Sequence, residues 1–275
     1  MRCFVSIIMS SSFISYKKSS LHYCTYGHGQ KLLVCFHGFG ETAESFAIFE
    51  SQLSEQYTIV AVDLPWHGQT TWNGGLLFTV EDLISILEAI PSVGNQNFSV
   101  MGFSMGGRVC LQLYEHIPER IEKLILIAPD GIKINFWYWL ATQTGPGNSL
   151  LKKVIKKPFG FFAFTRVLKK AALVNIGVYN YIHIHLKNEN MRMRLYNIWT
   201  TMRKIKPSVP HIQSLIQQHH TPVVLIYGQY DKVIRFTTGQ KFRKKVEPFC
   251  TLSLLPTGHK LLHQKNSAAI AALVL

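Results

Sequence analysis

The sequence predicts an α/β domain built on a mostly parallel central sheet with helices on both faces. Short apolar segments rich in β-branched residues alternate along the chain with segments of helical periodicity. The apolar segments are almost continuously hydrophobic, which is typical of parallel strands buried on both faces. The alternation is interrupted once, by about ninety residues between Ala128 and Thr221, and a structureless loop of that length is improbable in a compact domain. We therefore expect an inserted subdomain there.

The composition supports a folded chain with a sizeable core. The length of 275 residues suits one α/β domain with a large insertion. Hydrophobic residues make up 47% and charged residues 16% of the chain, which excludes a disordered protein. No apolar run reaches the roughly 18 residues of a membrane-spanning helix.

Each predicted element has a local pattern that supports it. Six segments have a strong strand pattern: Lys31–His37, Tyr57–Asp63, Asn97–Phe103, Glu122–Ala128, Pro222–Gly228 and Cys250–Leu255. A seventh segment, Ser20–Tyr26, alternates in polarity and is a weaker candidate. The helical segments are Thr42–Gln56, Phe78–Ile90, Met105–His116, Phe236–Val246 and His259–Leu275. Because parallel crossovers are right-handed, the strand ends that lead into helices meet at one edge, where α/β proteins bind ligands.

The composition divides the chain into a core and an insertion. We assign residues 20–131 and 219–275 to the α/β core. Residues 132–218 form a basic, mainly helical cap, with aromatic and basic stretches such as Phe159–Lys170. Residues 1–19 are interpreted as an N-terminal extension that is poorly ordered or in part not native.

The N-terminal extension has two further interpretations. Met9 offers a second start, in which case residues 1–8 do not belong to the native protein. The short apolar run Cys3–Met9 follows Arg2 and is a weak signal-peptide candidate, because no A-x-A-like cleavage site comes after it.

Almost all of the net charge of +14 falls in the predicted cap. Between Ile132 and Leu215 there are fourteen Lys or Arg and one acidic residue, Glu189. Such a surface can be solvated without a partner, attract an anionic or lipid-like ester or an acidic carrier protein, or dock on anionic membrane lipid. No nucleic-acid-binding motif accompanies the charge, so we expect no nucleic-acid partner. The sequence leaves the oligomeric state open.

The cysteines point away from disulfides and zinc. There are five, and their spacing includes no CxxC pair: Cys3, Cys24, Cys35, Cys110 and Cys250. An odd number without close pairing is not a disulfide framework, and the spacing does not fit a structural zinc site. We expect a reducing, cytoplasmic location.

The strongest chemical signal is the G-x-S-x-G motif at Gly102–Gly106. It follows the predicted strand Asn97–Phe103 and opens the predicted helix Met105–His116. Glycine on both sides permits a tight strand-to-helix turn, which pushes the hydroxyl of Ser104 into the open at the sheet edge. A glycine-rich turn with an ordinary helix-capping serine is the alternative.

A serine hydroxyl needs a base, and the base needs an orienting acid. His259 directly follows the last predicted strand, and Asp231 follows the strand before it, so both fall on the same edge as Ser104. We therefore predict Ser104 as the nucleophile, His259 as the general base and Asp231 as the acid. Asp130, which follows the strand Glu122–Ala128, is the competing acid.

The reaction also needs donors for the developing oxyanion. Loss of one such donor typically costs roughly 2.7–4 kcal/mol of transition-state stabilisation. The backbone N–H of Met105, at the start of the nucleophile helix, is one candidate. The N–H of Phe39, in the glycine-containing turn His37–Gly40, is the other, and His37 itself is expected to be a structural hydrogen-bonding residue.

Five motifs occur in a fixed order: HGFG (37–40), DLPWHG (63–68), GFSMGG (102–107), GQYD (228–231) and PTGH (256–259). Together they resemble the α/β-hydrolase superfamily, especially its small capped esterase-like members, over nearly all of residues 20–275 outside the cap. The resemblance implies a helical cap after the sixth strand of that fold, covering the active site and selecting the substrate. Trp66 is a departure, because many relatives have glycine there. Ser104 argues against epoxide and carbon–halogen cleavage, for which relatives use aspartate.

The residues and the resemblance together predict a serine hydrolase that cleaves a small-molecule carboxylic ester through an acyl-enzyme. We expect neither a metal nor another cofactor. Thioesterase, lipase, carrier-protein methyl ester esterase and carbon–carbon bond hydrolase stay open, because all use the same triad. A non-catalytic scaffold for ligand sensing or membrane-surface binding is the alternative from another class.

Overall fold

A computed structural model of the chain describes residues 10–134, 136–160, 166, 169 and 188–275. The chain divides into two compact units. The first comprises the residues up to Gly74 together with Thr79–Lys133 and Ile205–Leu275. The second comprises Gly75–Phe78 and Ile134–Lys204.

The first unit is built on a sheet of eight strands within the described residues. The strands are β1 (Ser10–Tyr16), β2 (Ser19–Tyr26), β3 (Lys31–Phe36), β4 (Tyr57–Val62), β5 (Phe98–Phe103), β6 (Ile121–Ile127), β7 (Val223–Gly228) and β8 (Cys250–Leu255). Their order across the sheet is β1-β2-β4-β3-β5-β6-β7-β8. β1 and β2 pair antiparallel and β2 is antiparallel to β4, whereas all the other neighbours are parallel. The predicted α/β architecture with a mostly parallel sheet is confirmed.

Helices of the first unit connect the strands. They are α1 (Glu50–Leu53), α2 (Val80–Ala89), α3 (Met105–His116), α7 (Val209–His219), α8 (Phe236–Arg243) and α9 (Gln264–Val274), with short 3₁₀ helices at Ala43–Phe49 and Pro118–Arg120. The core lies on the two faces of the sheet. Residues of the inner strands β5 and β7 are buried without exception, because helices cover both faces there.

Three elements differ from the sequence prediction. β1 was not predicted, because its serine-rich sequence is largely exposed and lacks a buried apolar face. The single helix expected at Thr42–Gln56 is a 3₁₀ helix followed by the one-turn helix α1. The last helix begins at Gln264 rather than at His259, since the chain between them makes tight turns through the Leu261 and His263 backbone N–H groups.

The second unit is helical in its described part. Its helices are α4 (Phe136–Gln143), α5 (Gly145–Lys156) and α6 (Glu189–Thr201), followed by a 3₁₀ turn at Met202–Lys204. Arg192 of α6 is buried, and its Nε donates to the Ile155 carbonyl at 2.8 Å. Most of the helical stretch expected at Phe159–Lys170 lies outside the described residues. α7, which the sequence analysis placed in the cap, belongs to the first unit.

No helix among the described residues is long and apolar enough to span a membrane. The four cysteines in the described part of the chain, Cys24, Cys35, Cys110 and Cys250, are free and buried.

Asp82 connects the β1–β2 hairpin to α2. One carboxylate oxygen accepts from the Thr79 backbone N–H at 2.9 Å, and Thr79 Oγ1 accepts in return from the Asp82 N–H, which forms a capping box. The other oxygen accepts from Tyr16 Oη at 2.8 Å and Lys17 Nζ at 2.6 Å. Burial acts to raise the pKa of Asp82, but the hydrogen bonds from Lys17, Thr79 and Tyr16 outweigh it and hold the pKa below its usual range.

We predict that Asp82→Asn lowers the free energy of unfolding at pH 7 by about 1–2 kcal/mol, as expected when a capping box loses its N3 carboxylate. Because the folded-state pKa of Asp82 is lowered, its contribution is present above the ordinary carboxyl pKa. It is lost as the pH falls through the lowered value, so the two proteins should converge in acid. Urea denaturation over a pH series measures this.

Glu88→Gln is the matched control on the same helix. Glu88 pairs with Arg120 at 3.1 Å in an exposed setting, so its loss should change stability by less than about 1 kcal/mol. Equal effects of the two substitutions would contradict the capping role of Asp82.

Candidate active site

The turn between β5 and α3 places Ser104 at the carboxyl edge of the sheet. Ser104 has φ 50° and ψ −113°, a conformation that non-glycine residues rarely adopt. A Cβ on Gly102 would lie 2.4 Å from the Gly106 carbonyl oxygen, and one on Gly106 would lie 1.9 Å from the Phe36 carbonyl oxygen. Both glycines are therefore required by the close approach of α3 to the ends of β3 and β5. This is the tight turn that the sequence motif predicts.

The structure brings Ser104, His259 and Asp231 together. His259 Nε2 lies 3.2 Å from Ser104 Oγ, and His259 Nδ1 lies 2.7 Å from Asp231 Oδ2. A carboxylate only accepts hydrogen bonds, so Nδ1–H is the donor to Asp231 and Nε2 is left to accept from the serine hydroxyl. The His259 ring also contacts the ring of Phe103, with 5.3 Å between centroids.

The loops after β7 and β8 hold this pair in place. The side chain of Asp231 is fully buried, and its Oδ1 accepts from the N–H groups of Val233 at 2.7 Å and Ile234 at 2.9 Å. The Tyr230 N–H donates to the Thr257 carbonyl at 3.0 Å, which ties one loop to the other. The backbone of its own turn thus orients Asp231 towards His259.

Asp130, the competing acid, has different partners. Its Oδ2 lies 3.6 Å from Nε of Arg108, and its Oδ1 accepts from the Gly131 N–H at 2.9 Å. Its own N–H donates to the Ser104 carbonyl at 2.8 Å. Asp130 therefore supports the backbone of the serine turn, whereas Asp231 is the carboxylate against His259.

The candidate oxyanion donors both adjoin Ser104. Met105 is the first residue of α3, where backbone N–H groups have no acceptor within the helix. A Cβ on Gly38 would lie 3.4 Å from Ser104 Cβ, so the turn that contains Phe39 passes directly beside Ser104. The Phe39 ring contacts the ring of His67 at 6.1 Å between centroids.

Asp63 organises the loops around this turn, and the sequence analysis gave it no role. Its carboxylate is 1% exposed and accepts from the N–H groups of Ala43 at 2.7 Å and Gln69 at 2.9 Å. His22 Nδ1 lies 2.7 Å from Asp63 Oδ2. The available signal was its position at the end of β4 in the DLPWHG motif, since a buried carboxylate requires several donors.

His37 behaves as a structural residue in the same network. Its Nδ1 lies 2.8 Å from the Gly38 carbonyl, and its Nε2 accepts from the Leu64 N–H at 3.1 Å. His37 therefore joins the turn containing Phe39 to the loop that follows Asp63.

Glu41 is a second residue that the sequence analysis missed. Its backbone N–H donates to the Gly38 carbonyl at 3.2 Å, and its Oε2 is buried with no hydrogen-bond partner among the described residues. Burial raises the pKa of Glu41, against smaller opposing effects from Gly38, His259 and Lys260. The site thus contains a carboxyl group whose charged form is disfavoured.

The described residues include no group of three or more His, Cys, Asp or Glu side chains arranged to hold a metal ion.

The fold and this arrangement define a hydrolase of the α/β class. The family description of the alpha/beta hydrolase fold matches residues 31–265, and the chain belongs to this family.

Individual relatives agree with that assignment. The chain is 23% identical over 237 residues to the uncharacterized hydrolase YugF of Bacillus subtilis (strain 168), covering 84% of each protein. Its fold is similar to that of 2-hydroxy-6-oxo-6-phenylhexa-2,4-dienoate hydrolase from Rhodococcus sp. strain RHA1, with a TM-score of 0.65, 20% identity and 98% coverage of both chains. It is also similar to a thioesterase domain from the curacin biosynthetic pathway, with a TM-score of 0.63, 16% identity and coverage of 97% of this chain and 99% of that one.

We predict that Glu41→Gln stabilises the protein more at pH 8 than near pH 4.5. Because the folded-state pKa of Glu41 is raised, ionisation of Glu41 destabilises the fold progressively as the pH rises above the ordinary carboxyl value. The glutamine variant lacks this ionisation. Urea denaturation of both proteins across the pH range gives the difference, and each pKa unit corresponds to about 1.4 kcal/mol. A difference that is independent of pH would contradict the burial of an ionisable carboxyl at this position.

Proposed function

We propose that the protein is a serine hydrolase that cleaves a carboxylic ester through an acyl-enzyme intermediate. The observation that carries this proposal is the continuous hydrogen-bonded chain from Ser104 through His259 to Asp231, at 3.2 and 2.7 Å. Its place at the carboxyl edge, on a strained turn between a buried strand and a helix, exposes the serine to a substrate.

Each residue has a defined role in the proposed mechanism. Ser104 Oγ attacks the acyl carbon while His259 Nε2 takes its proton, and Asp231 stabilises the imidazolium that forms. The N–H groups of Phe39 and Met105 receive the oxyanion. His259 then gives its proton to the leaving alcohol, and the same imidazole activates the water that releases the acid. The mechanism requires neither a metal nor another cofactor.

The comparisons support hydrolysis as the reaction class. Proteins with this fold include one described as a thioesterase domain and one described as a dienoate hydrolase, so the fold accommodates hydrolysis of more than one class of substrate.

A second candidate is a thioesterase or carrier-protein methyl ester esterase with an anionic substrate or partner. The basic residues of the second unit favour it. Lys152, Lys153, Lys156 and Lys157 are all exposed at the end of α5 and just beyond it, with no acidic residue between Ile134 and Asn188. Such a surface attracts anions over a distance of about a Debye length, roughly 8 Å at physiological salt.

We predict that Ser104→Ala abolishes ester hydrolysis. The test measures release of p-nitrophenol from a series of esters, acetate to decanoate, by wild type and the alanine variant in parallel. Turnover should fall by a factor of about 10³ or more, as expected for loss of a triad member. The chain-length profile of the wild type then estimates the size of the acyl pocket. Equal rates for the two proteins would refute the role of Ser104.

We also predict that Asp231→Asn lowers kcat by about 10⁴, because the amide no longer holds the imidazole in the required tautomer. Asp130→Asn is the matched control. It removes the charge of the competing acid next to Arg108 and should change kcat by less than about tenfold, since Asp130 does not orient His259. A larger loss in the Asp130 variant than in the Asp231 variant would reverse the assignment of the acid.

A further inference from the structure

A second chain of serine, histidine and aspartate shares Asp63 with the loops around the Ser104 turn but contains none of Ser104, His259 and Asp231. Ser11 Oγ of β1 lies 2.8 Å from His22 Nε2 of β2, and His22 Nδ1 lies 2.7 Å from Asp63 Oδ2 at the end of β4. The atoms and their order match those of the Ser104 chain. The distance from serine to histidine is 0.4 Å shorter, at 2.8 Å against 3.2 Å.

The environment of His22 fixes its tautomer. Asp63 is an acceptor for two backbone N–H groups, those of Ala43 and Gln69, as well as for His22. Nδ1–H of His22 must therefore be the donor to Asp63, which leaves the Nε2 electron pair to accept from the Ser11 hydroxyl at 2.8 Å, with the Cys24 thiol more distant at 3.9 Å. This is the arrangement in which a neutral imidazole acts as a general base towards a serine.

Ser11 is exposed to solvent, whereas His22 and Asp63 are buried. Ser11 is exposed on β1, which is an edge strand within the described part of the sheet, whereas His22 and Asp63 are each 1% exposed. Phe13, two residues along the same face of β1, is 53% exposed and lies 5.0 Å from the His22 ring. An aryl or short acyl group could therefore contact an aromatic surface beside the hydroxyl.

We propose that Ser11 is a second nucleophilic serine, with His22 as its base, that reacts with small activated carboxylic esters and with fluorophosphonates. With an ester, a bond forms between Ser11 Oγ and the acyl carbon, and the bond from that carbon to the leaving oxygen breaks. The hydroxyl proton passes to His22 Nε2 and then to the leaving oxygen. With a fluorophosphonate, the Oγ–phosphorus bond forms, and fluoride leaves together with the same proton.

The rate at Ser11 should be well below that at Ser104. Ser11 lies within a strand, whereas Ser104 directly precedes the first residue of a helix, Met105, whose N–H can stabilise an oxyanion. A positioned general base alone contributes about 10²–10⁴-fold. The expected product is a stable acyl or phosphonyl group on Ser11 rather than rapid turnover.

The test uses the full chain with Ser104→Ala, so that the first nucleophile is absent. The protein is incubated with a fluorophosphonate and, separately, with p-nitrophenyl acetate, and the modified residue is located by peptide mass spectrometry. Ser12 is the matched internal control, because it is adjacent in sequence but points to the opposite face of β1. We expect modification at Ser11 to exceed that at Ser12 by about 10²-fold.

Two further variants check the assignment. In the Ser104→Ala background, Ser11→Ala should abolish the modification and Ser12→Ala should retain it. His22→Gln should reduce it to the level of Ser12, with circular dichroism confirming the fold. Equal modification of Ser11 and Ser12, or none at Ser11, would overturn the proposal. Because Ser104 is absent throughout, that result would leave the proposed ester hydrolase unaffected, and failure of Ser104 to hydrolyse esters would leave this proposal standing.

Discussion

The close approach of α3 to the strand ends is the constraint on which the site depends. Gly106 lies where any side chain would collide with the Phe36 carbonyl at the end of β3. The Ser104 N–H donates to the Ile127 carbonyl at 2.9 Å, so β6 is held by the same turn. Three parallel strands are thereby registered at one point, and the loops that carry Asp231 and His259 follow the next two strands of the sheet. Backbone packing, rather than contacts between side chains, therefore sets the position of the site.

Sequence reasoning reached the parts of the fold that have a strong local signal. The buried strands and α3 were predicted almost to the residue, because continuous apolar runs and a glycine-flanked turn have few other solutions. β1 was not predicted, since an exposed, serine-rich edge strand has little hydrophobic pattern. Asp231 could be favoured over Asp130 only from strand order, and the structure explains the difference through the contact of Asp130 with Arg108. Glu41 was unpredictable, because its burial depends on tertiary packing.

Three buried carboxyl groups near the carboxyl edge of the sheet differ in their hydrogen-bond partners. Asp63 lies against both the His22 ring and the Ala43 N–H, so it connects β2 to the 3₁₀ helix Ala43–Phe49. Asp231 uses two backbone N–H groups in the same way and keeps its other oxygen for His259. Glu41 has a buried oxygen without a partner among the described residues, and burial raises its pKa. Asp63 and Asp231 thus differ from Glu41 in that both of their carboxylate oxygens have hydrogen-bond partners.

Left-handed backbone conformations follow three of the parallel strands in turn. Trp66, Ser104 and Ala128 have φ of 68°, 50° and 40°, and they lie shortly after β4, β5 and β6. Each such residue costs of order 1–3 kcal/mol, which the packing around it must offset. The strained residues therefore reduce stability at the carboxyl edge of the sheet, where the proposed catalytic residues also lie. Glycine at Ala128 would relieve strain without changing Ser104, whereas glycine at Ser104 would relieve strain and remove the proposed nucleophile.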